Sequence, residues 1–153
     1  MPMPALSLPT ERHKQLRDLA DSLFGGATMS ATIGALIRAV ADAGLIPHDL
    51  PGVRVNAFED GVAVSFDDTF PAALDRAEAV ALIRAIAHLL RTGEKPAPKL
   101  GRSWALGRRG PGYTVTIATR DGEREKVWTR DVICDFARLL AFALRQPEEA
   151  AGL

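Results

Sequence analysis

Apolar residues recur at helical spacing in four stretches of this chain and alternate with polar ones in others. The first helical stretch holds Leu16, Leu19, Ala20, Leu23 and Phe24 on one side and Arg12, Lys14, Arg17, Asp18 and Asp21 on the other. It predicts a helix from Thr10 to Phe24, with Thr10 as its N-cap and Gly25-Gly26 as its stop. Ala5-Leu6-Ser7-Leu8-Pro9 reads as a short strand ahead of it. A second helix is predicted from Ser30 to Ile46, with Thr28 or Ser30 as cap. Its stripe is Ile33, Leu36, Ile37, Val40, Ala41 and Leu45, and Gly44 and Pro47 end it. One strand and two helices are too small to bury both stripes. Either a second copy of the chain completes them or the rest of the chain does.

From His48 the alternation becomes strand-like. Val53 and Val55, then Val62, Val64 and Phe66, flank Asp60-Gly61, which reads as a tight hairpin turn. That loop sets Val55 opposite Phe66 and Ala57 opposite Val64. A loop through Asp67-Asp68 and Pro71 follows. Asp75 and Glu78 form a capping-box variant for a helix to about Arg91, burying Ala79, Leu82, Ile83, Ile86, Leu89 and Leu90. Residues 92–101 form a polar, proline-containing linker. Trp104 and Leu106 suit a short strand. Tyr113, Val115 and Ile117 suit another, and Asp121-Gly122 a turn before a strand ending at Val127-Trp128. Thr129 caps a last helix to about Arg145, with Val132, Ile133, Phe136, Leu139, Leu140 and Ala143 inward; Pro147 to Leu153 reads as a flexible tail. The two Asp-Gly turns lie 61 positions apart, each ahead of a helix. A duplicated ββα unit and convergence on a common hairpin pattern both fit.

The expected fold is therefore α+β. Residues 1–47 form a strand-helix-helix arm, residues 48–146 an antiparallel sheet of about five strands with two helices on one face, and residues 147–153 the tail.

The chain has 153 residues, 47% hydrophobic and 25% charged, with formal net charge zero. That suits one domain or two small ones and argues against a dominant electrostatic grip on nucleic acid. The charge is uneven: residues 93–130 carry nine Lys and Arg against four Asp and Glu. Cys134 is alone, so no disulfide framework forms; it reads as a small buried hydrophobe. No apolar run approaches membrane-spanning length, and the N-terminus lacks a signal-peptide pattern. A cytoplasmic setting is expected.

Little in the sequence points to catalysis. His13, His48 and His88 are scattered, without Cys or carboxylates at ligand spacing. No nucleophile elbow occurs. Gly107 to Gly112 is glycine-rich but lacks the Lys-Ser or Lys-Thr ending of a phosphate loop. Asp67-Asp68 reads as a solvated loop. Lys95, Lys99, Arg102, Arg108 and Arg109, with Trp104 and Tyr113 nearby, combine positive charge with aromatic faces, a mixture that holds phosphates and stacks bases; a solvated hairpin loop with one core Trp is the plainer reading. Phe58 and Phe142 fall off the apolar faces and would mark a partner surface if exposed.

Leu6, Leu8 and Pro9, then Leu16, Leu19 and Ala20, the Gly25-Gly26 turn, Ser30 and Ile33 together resemble the ribbon-helix-helix family, the Arc and MetJ type of repressor. The resemblance covers residues 5–46. It implies a homodimer whose paired strands enter the major groove, with the start of the second helix, around Thr28 and Ser30, holding a phosphate. Regulators of mobile elements and partitioning systems, including transcription regulators, often carry this arm. Here the groove-facing residues are Met3, Ala5 and Ser7, of which only Ser7 hydrogen-bonds. None offers the paired contacts that read base edges, and Pro2 and Pro4 remove strand-pairing donors.

The leading expectation is thus a non-catalytic DNA-binding accessory or regulatory protein. It acts as a homodimer and grips DNA electrostatically through Ser7, Thr28, Ser30, Lys99, Arg102, Arg108 and Arg109. The alternative is a homodimeric protein-interaction module without DNA binding. Neither reading involves a catalytic residue, cofactor, metal or membrane.

Overall fold

A computed structural model describes residues 7–96 and 103–151. The fold is α+β, and the chain divides into two compact units, Met1–His48 and Asp49–Leu153.

The first unit is a helical hairpin of α1 (Thr10–Leu23) and α2 (Met29–Asp42). Thr10 lies inside α1. The cap position is held by Pro9 with no side-chain bond, which corrects the expected Thr10 cap; proline's fixed φ suits a helix entrance. Gly25 and Gly26 both take positive φ, and Gly26 N–H donates to Ala20 O at 2.9 Å, closing the helix end. Thr28 caps α2, its hydroxyl accepting from Ala31 N–H at 3.2 Å. That helix ends at Asp42, four residues short of the expected Ile46, because Gly44 turns the chain with φ 79°. The expected strand falls outside the described residues up to Leu6, and Ser7 and Leu8 are not in a strand.

The second unit contains β1 (Val53–Phe58), β2 (Gly61–Phe66), β3 (Ala72–Asp75), α3 (Arg76–Thr92), β4 (Trp104–Arg109), β5 (Gly112–Thr119), β6 (Gly122–Trp128) and α4 (Arg130–Ala151). The strands form two three-stranded antiparallel meanders, β1-β2-β3 and β4-β5-β6, each followed by a helix. The expected single sheet of five strands is corrected to two sheets of three. The repeating unit is βββα, and the strand missed was β3. The helix expected to stop near Arg145 continues to Ala151.

The hairpin register also differs. Val55 pairs with Val64, Ala57 with Val62 and Phe58 with Gly61, so the two-residue loop is Glu59-Asp60. Gly61 belongs to the strand. A Cβ there would stand 2.0 Å from Leu74 O of β3, so glycine serves close strand approach rather than turn geometry. The slip of two residues keeps the same side chains on the same face, because strand side chains alternate with period two. Likewise Gly122 pairs with Thr119 around an Arg120-Asp121 loop.

One hydrophobic core joins both sheets and both helices of this unit. Val62, Val64, Phe66 and Leu74 meet Leu82, Ile86 and Leu89 of α3. Val115 and Ile117 meet Ile133, Phe136 and Leu140 of α4. Phe66, Trp128 and Phe136 form an aromatic cluster with centroids 5.1–6.0 Å apart, tying the ends of β2 and β6 to α4. Asp75 Oδ1 accepts from Glu78 N–H at 2.8 Å, the expected cap of α3, and Gly93 closes that helix with φ 75°. Among the described residues no helix is long and apolar enough to cross a membrane.

Candidate nucleic-acid interface

Two regions carry the residues expected to hold phosphate. In the first unit, the start of α2 has no acidic residue in its first turn. Thr28 Oγ1 occupies only the Ala31 N–H. The N–H groups of Met29 and Ser30 precede the first intrahelical bond, Thr32 N–H to Thr28 O. They therefore present partial positive charge at the helix end. Ser30 is exposed and lines an open apolar groove with Leu8, His13, Met29 and Ile33. Ser7 is exposed.

In the second unit, Lys99 and Arg102 lie outside the described residues. Arg108 and Arg109 do not form the expected loop. Both belong to β4, and the turn itself is Gly110-Pro111. Successive strand residues face opposite ways, so Arg108 shares the face of Trp104 and Leu106 while Arg109 is on the other. Arg109 pairs with Glu125 at 2.8 Å. Arg108 stacks over its cross-strand partner Tyr113, 5.3 Å from the ring centroid. Its guanidinium also lies beside Gly93 at the end of α3, where an added Cβ would be 3.5 Å from Nη1. Trp104 and Tyr113 are 4% and 7% exposed. The expectation that their rings stack bases is corrected: the alternation of β4 and β5 points both into the core.

Asp67 and Asp68 both adopt positive φ, 51° and 57°. Asp67 pairs with Lys126 at 2.5 Å and Asp68 with Arg54 at 3.5 Å, so each carboxylate has a cation. Phe58 is 41% exposed and Phe142 49%. Cys134 is half-buried rather than buried.

The outer face of α3 carries a further set of basic residues. Arg84, His88 and Arg91 stand there at i, i+4 and i+7, all exposed, with Arg91 Nη2 3.4 Å from His88 Nδ1. The signal was present in that spacing, but the helix lies in the acidic segment of the chain, where seven Asp and Glu between residues 49 and 92 outnumber four Arg.

No known family model, no curated protein and no solved structure matches this chain.

Proposed function

We propose that this protein is a homodimeric DNA-binding accessory or regulatory protein, without catalysis, whose first unit is a ribbon-helix-helix-like arm. One observation carries the dimer. In α1 only Ala20 is buried, and in α2 only Thr32 and Ala41, while Leu23 is 67% exposed and Ile37 53%. A stripe that unfilled needs a partner surface, and a second copy offers the same stripe to itself.

The DNA reading is supported by the acid-free start of α2 and by the positive surplus between residues 93 and 130. Contacts of this kind neutralise phosphates without reading bases. Binding should then be steeply salt-dependent and nearly indifferent to sequence.

The pairing of Arg109 with Glu125 and the burial of Trp104 and Tyr113 favour a second reading, a homodimeric protein-interaction module. Two measurements test these. Sedimentation at tens of micromolar reports the dimer, and a monomer would overturn the arm. Titration of unrelated duplexes at low salt reports DNA binding. No binding to any duplex would leave the interaction module.

A further inference from the structure

We infer that Arg84, His88 and Arg91 on α3 form a contact surface for the phosphodiester backbone of nucleic acid. The inference rests on the DNA-binding reading and moves its principal grip onto a helix face.

Several cations of the second unit are already neutralised. In the second unit Arg54, Arg109 and Lys126 each pair with a carboxylate. Arg84, Arg91 and Arg108 make no ion pair among the described residues. Residues four and seven apart share one side of a helix, so Arg84, His88 and Arg91 form a line about 10 Å long. Arg108 lies beside Gly93 at the helix end, half a turn round from this line and apart from it. The sole carboxylate within α3 is Glu78, whose Oε2 is buried, and the helix turns that residue away from the line. Within α3 the line therefore carries charge of one sign.

Position in the fold explains why the line is free. Ala79, Leu82, Ile86 and Leu89 commit the other side of α3 to the core. What remains outward is a rigid helix with arginines at fixed spacing. Arginine suits phosphate because its planar fork donates two bonds at once. Each strand of duplex DNA carries one charge per about 3.4 Å of axis, so a line of about 10 Å along one strand faces about three phosphates. An acidic protein segment is the competing occupant. The apolar groove of Arg76, Ala77, Val80, Ala81 and Arg84 would serve it, but that groove ends at Arg84 and leaves His88 and Arg91 beyond it.

The test uses the full chain and a fluorescein-labelled 20-base-pair duplex of arbitrary sequence, titrated by anisotropy from 50 to 250 mM KCl. Arg84→Gln with Arg91→Gln should lower the slope of log K against log salt by about two and weaken binding at 50 mM by about tenfold or more. Arg84→Lys with Arg91→Lys should keep most of the slope, because the charges remain. Both pairs are on the surface, and an unchanged circular-dichroism spectrum and melting temperature establish that the variants fold. Wild-type slope in the Gln pair, with the duplex still bound, would overturn this surface and leave the DNA-binding reading standing. No binding of the duplex by the wild-type protein would overturn both. Arginine-dependent binding of a fluorescein-labelled polyglutamate peptide, with the duplex unbound, would assign the face to an acidic protein instead.

Discussion

Arg76 Nη1 donates to the main-chain oxygen of Leu144 across 3.1 Å. Its counterpart 54 positions on, Arg130, donates to the oxygen of Leu90 at 2.8 Å, and Leu90 and Leu144 are themselves 54 apart. Each arginine opens one helix and caps carbonyls near the far end of the other, so α3 and α4 run antiparallel about a local two-fold. The same offset relates the buried Ala79, Leu82, Ile86 and Leu89 to Ile133, Phe136, Leu140 and Ala143. Identical residues recur at it as well: Arg84 and Arg138, Ala87 and Ala141, Arg91 and Arg145. The second unit is built as two βββα halves facing each other.

The two arginine bonds should differ in worth. The Arg76 bond is part-buried and the Arg130 bond exposed. Water replaces a lost exposed bond, but not a shielded one. Arg76→Ala should cost about 1–2 kcal/mol and Arg130→Ala about half a kcal/mol or less, read from urea midpoints at constant m. Equal losses would mean that the two-fold holds in energy as well as geometry.

Gly61 should resist substitution more than Gly110. A Cβ at Gly61 would meet Leu74 O at 2.0 Å, a backbone atom that cannot yield without parting β2 from β3. Gly110 has φ 58° but open space around it. Gly61→Ala should therefore cost about 3 kcal/mol or prevent folding, and Gly110→Ala about 1 kcal/mol from backbone strain alone. Thermal or urea unfolding of the two variants decides it. The reverse order would return Gly61 to the turn.

The turn after β2 offers a stabilising change. Asp68 holds a left-handed conformation that costs a non-glycine residue about 1 kcal/mol, and its pair with Arg54 is exposed at both ends, worth little. Asp68→Gly should raise stability by about 0.5–1 kcal/mol. Asp67→Gly should gain less, since its partner Lys126 has only 23% of its side chain exposed. Denaturant titration of both variants would show whether strain or pairing dominates.

The arm and the second unit should respond differently to core damage. Ile37 is more than half exposed in α2, whereas Leu82 is fully buried. Ile37→Asp should shift sedimentation toward monomer and leave the second unit folded. Leu82→Ala should cost about 2–5 kcal/mol of stability without changing the oligomer. An unchanged oligomer in Ile37→Asp would remove that residue from the proposed dimer interface.

Periodicity made the helices readable, and their buried faces followed from it. The strands were harder. β3 is four residues long, two of them alanine, and begins directly after Pro71; it has neither the length nor the β-branched content that marks a strand. Asp60-Gly61 imitates a hairpin turn, but the glycine is needed by a strand distant in sequence, and such a requirement leaves no local trace. The same mistake disguised the repeat. The turn matching Glu59-Asp60 is Gly110-Pro111, 51 positions on, not Asp121-Gly122. At the candidate site the type of charge was legible and its pairing was not. Arg109 meets Glu125 only because β4 and β6 flank β5.

That pairing separates two neighbouring arginines that a sequence treats alike. Arg108 and Arg109 face opposite sides of β4. Arg109 is held by a carboxylate at 2.8 Å, so a phosphate must displace Glu125 to reach it. Arg108 lies over the Tyr113 ring and beside Gly93 with no carboxylate partner among the described residues, which leaves its fork free of an ion pair. In a salt-titrated DNA-binding assay, Arg108→Ala should reduce the slope by about one and weaken all sequences alike. Arg109→Ala should change it by much less. Glu125→Gln supplies the decisive control: it frees Arg109, so binding should strengthen and Arg109→Ala should then cost as much as Arg108→Ala. Equal effects of the two arginine substitutions in the otherwise native chain would show that the Arg109–Glu125 pair opens at no cost in solution, and the basic residues would again act as one patch.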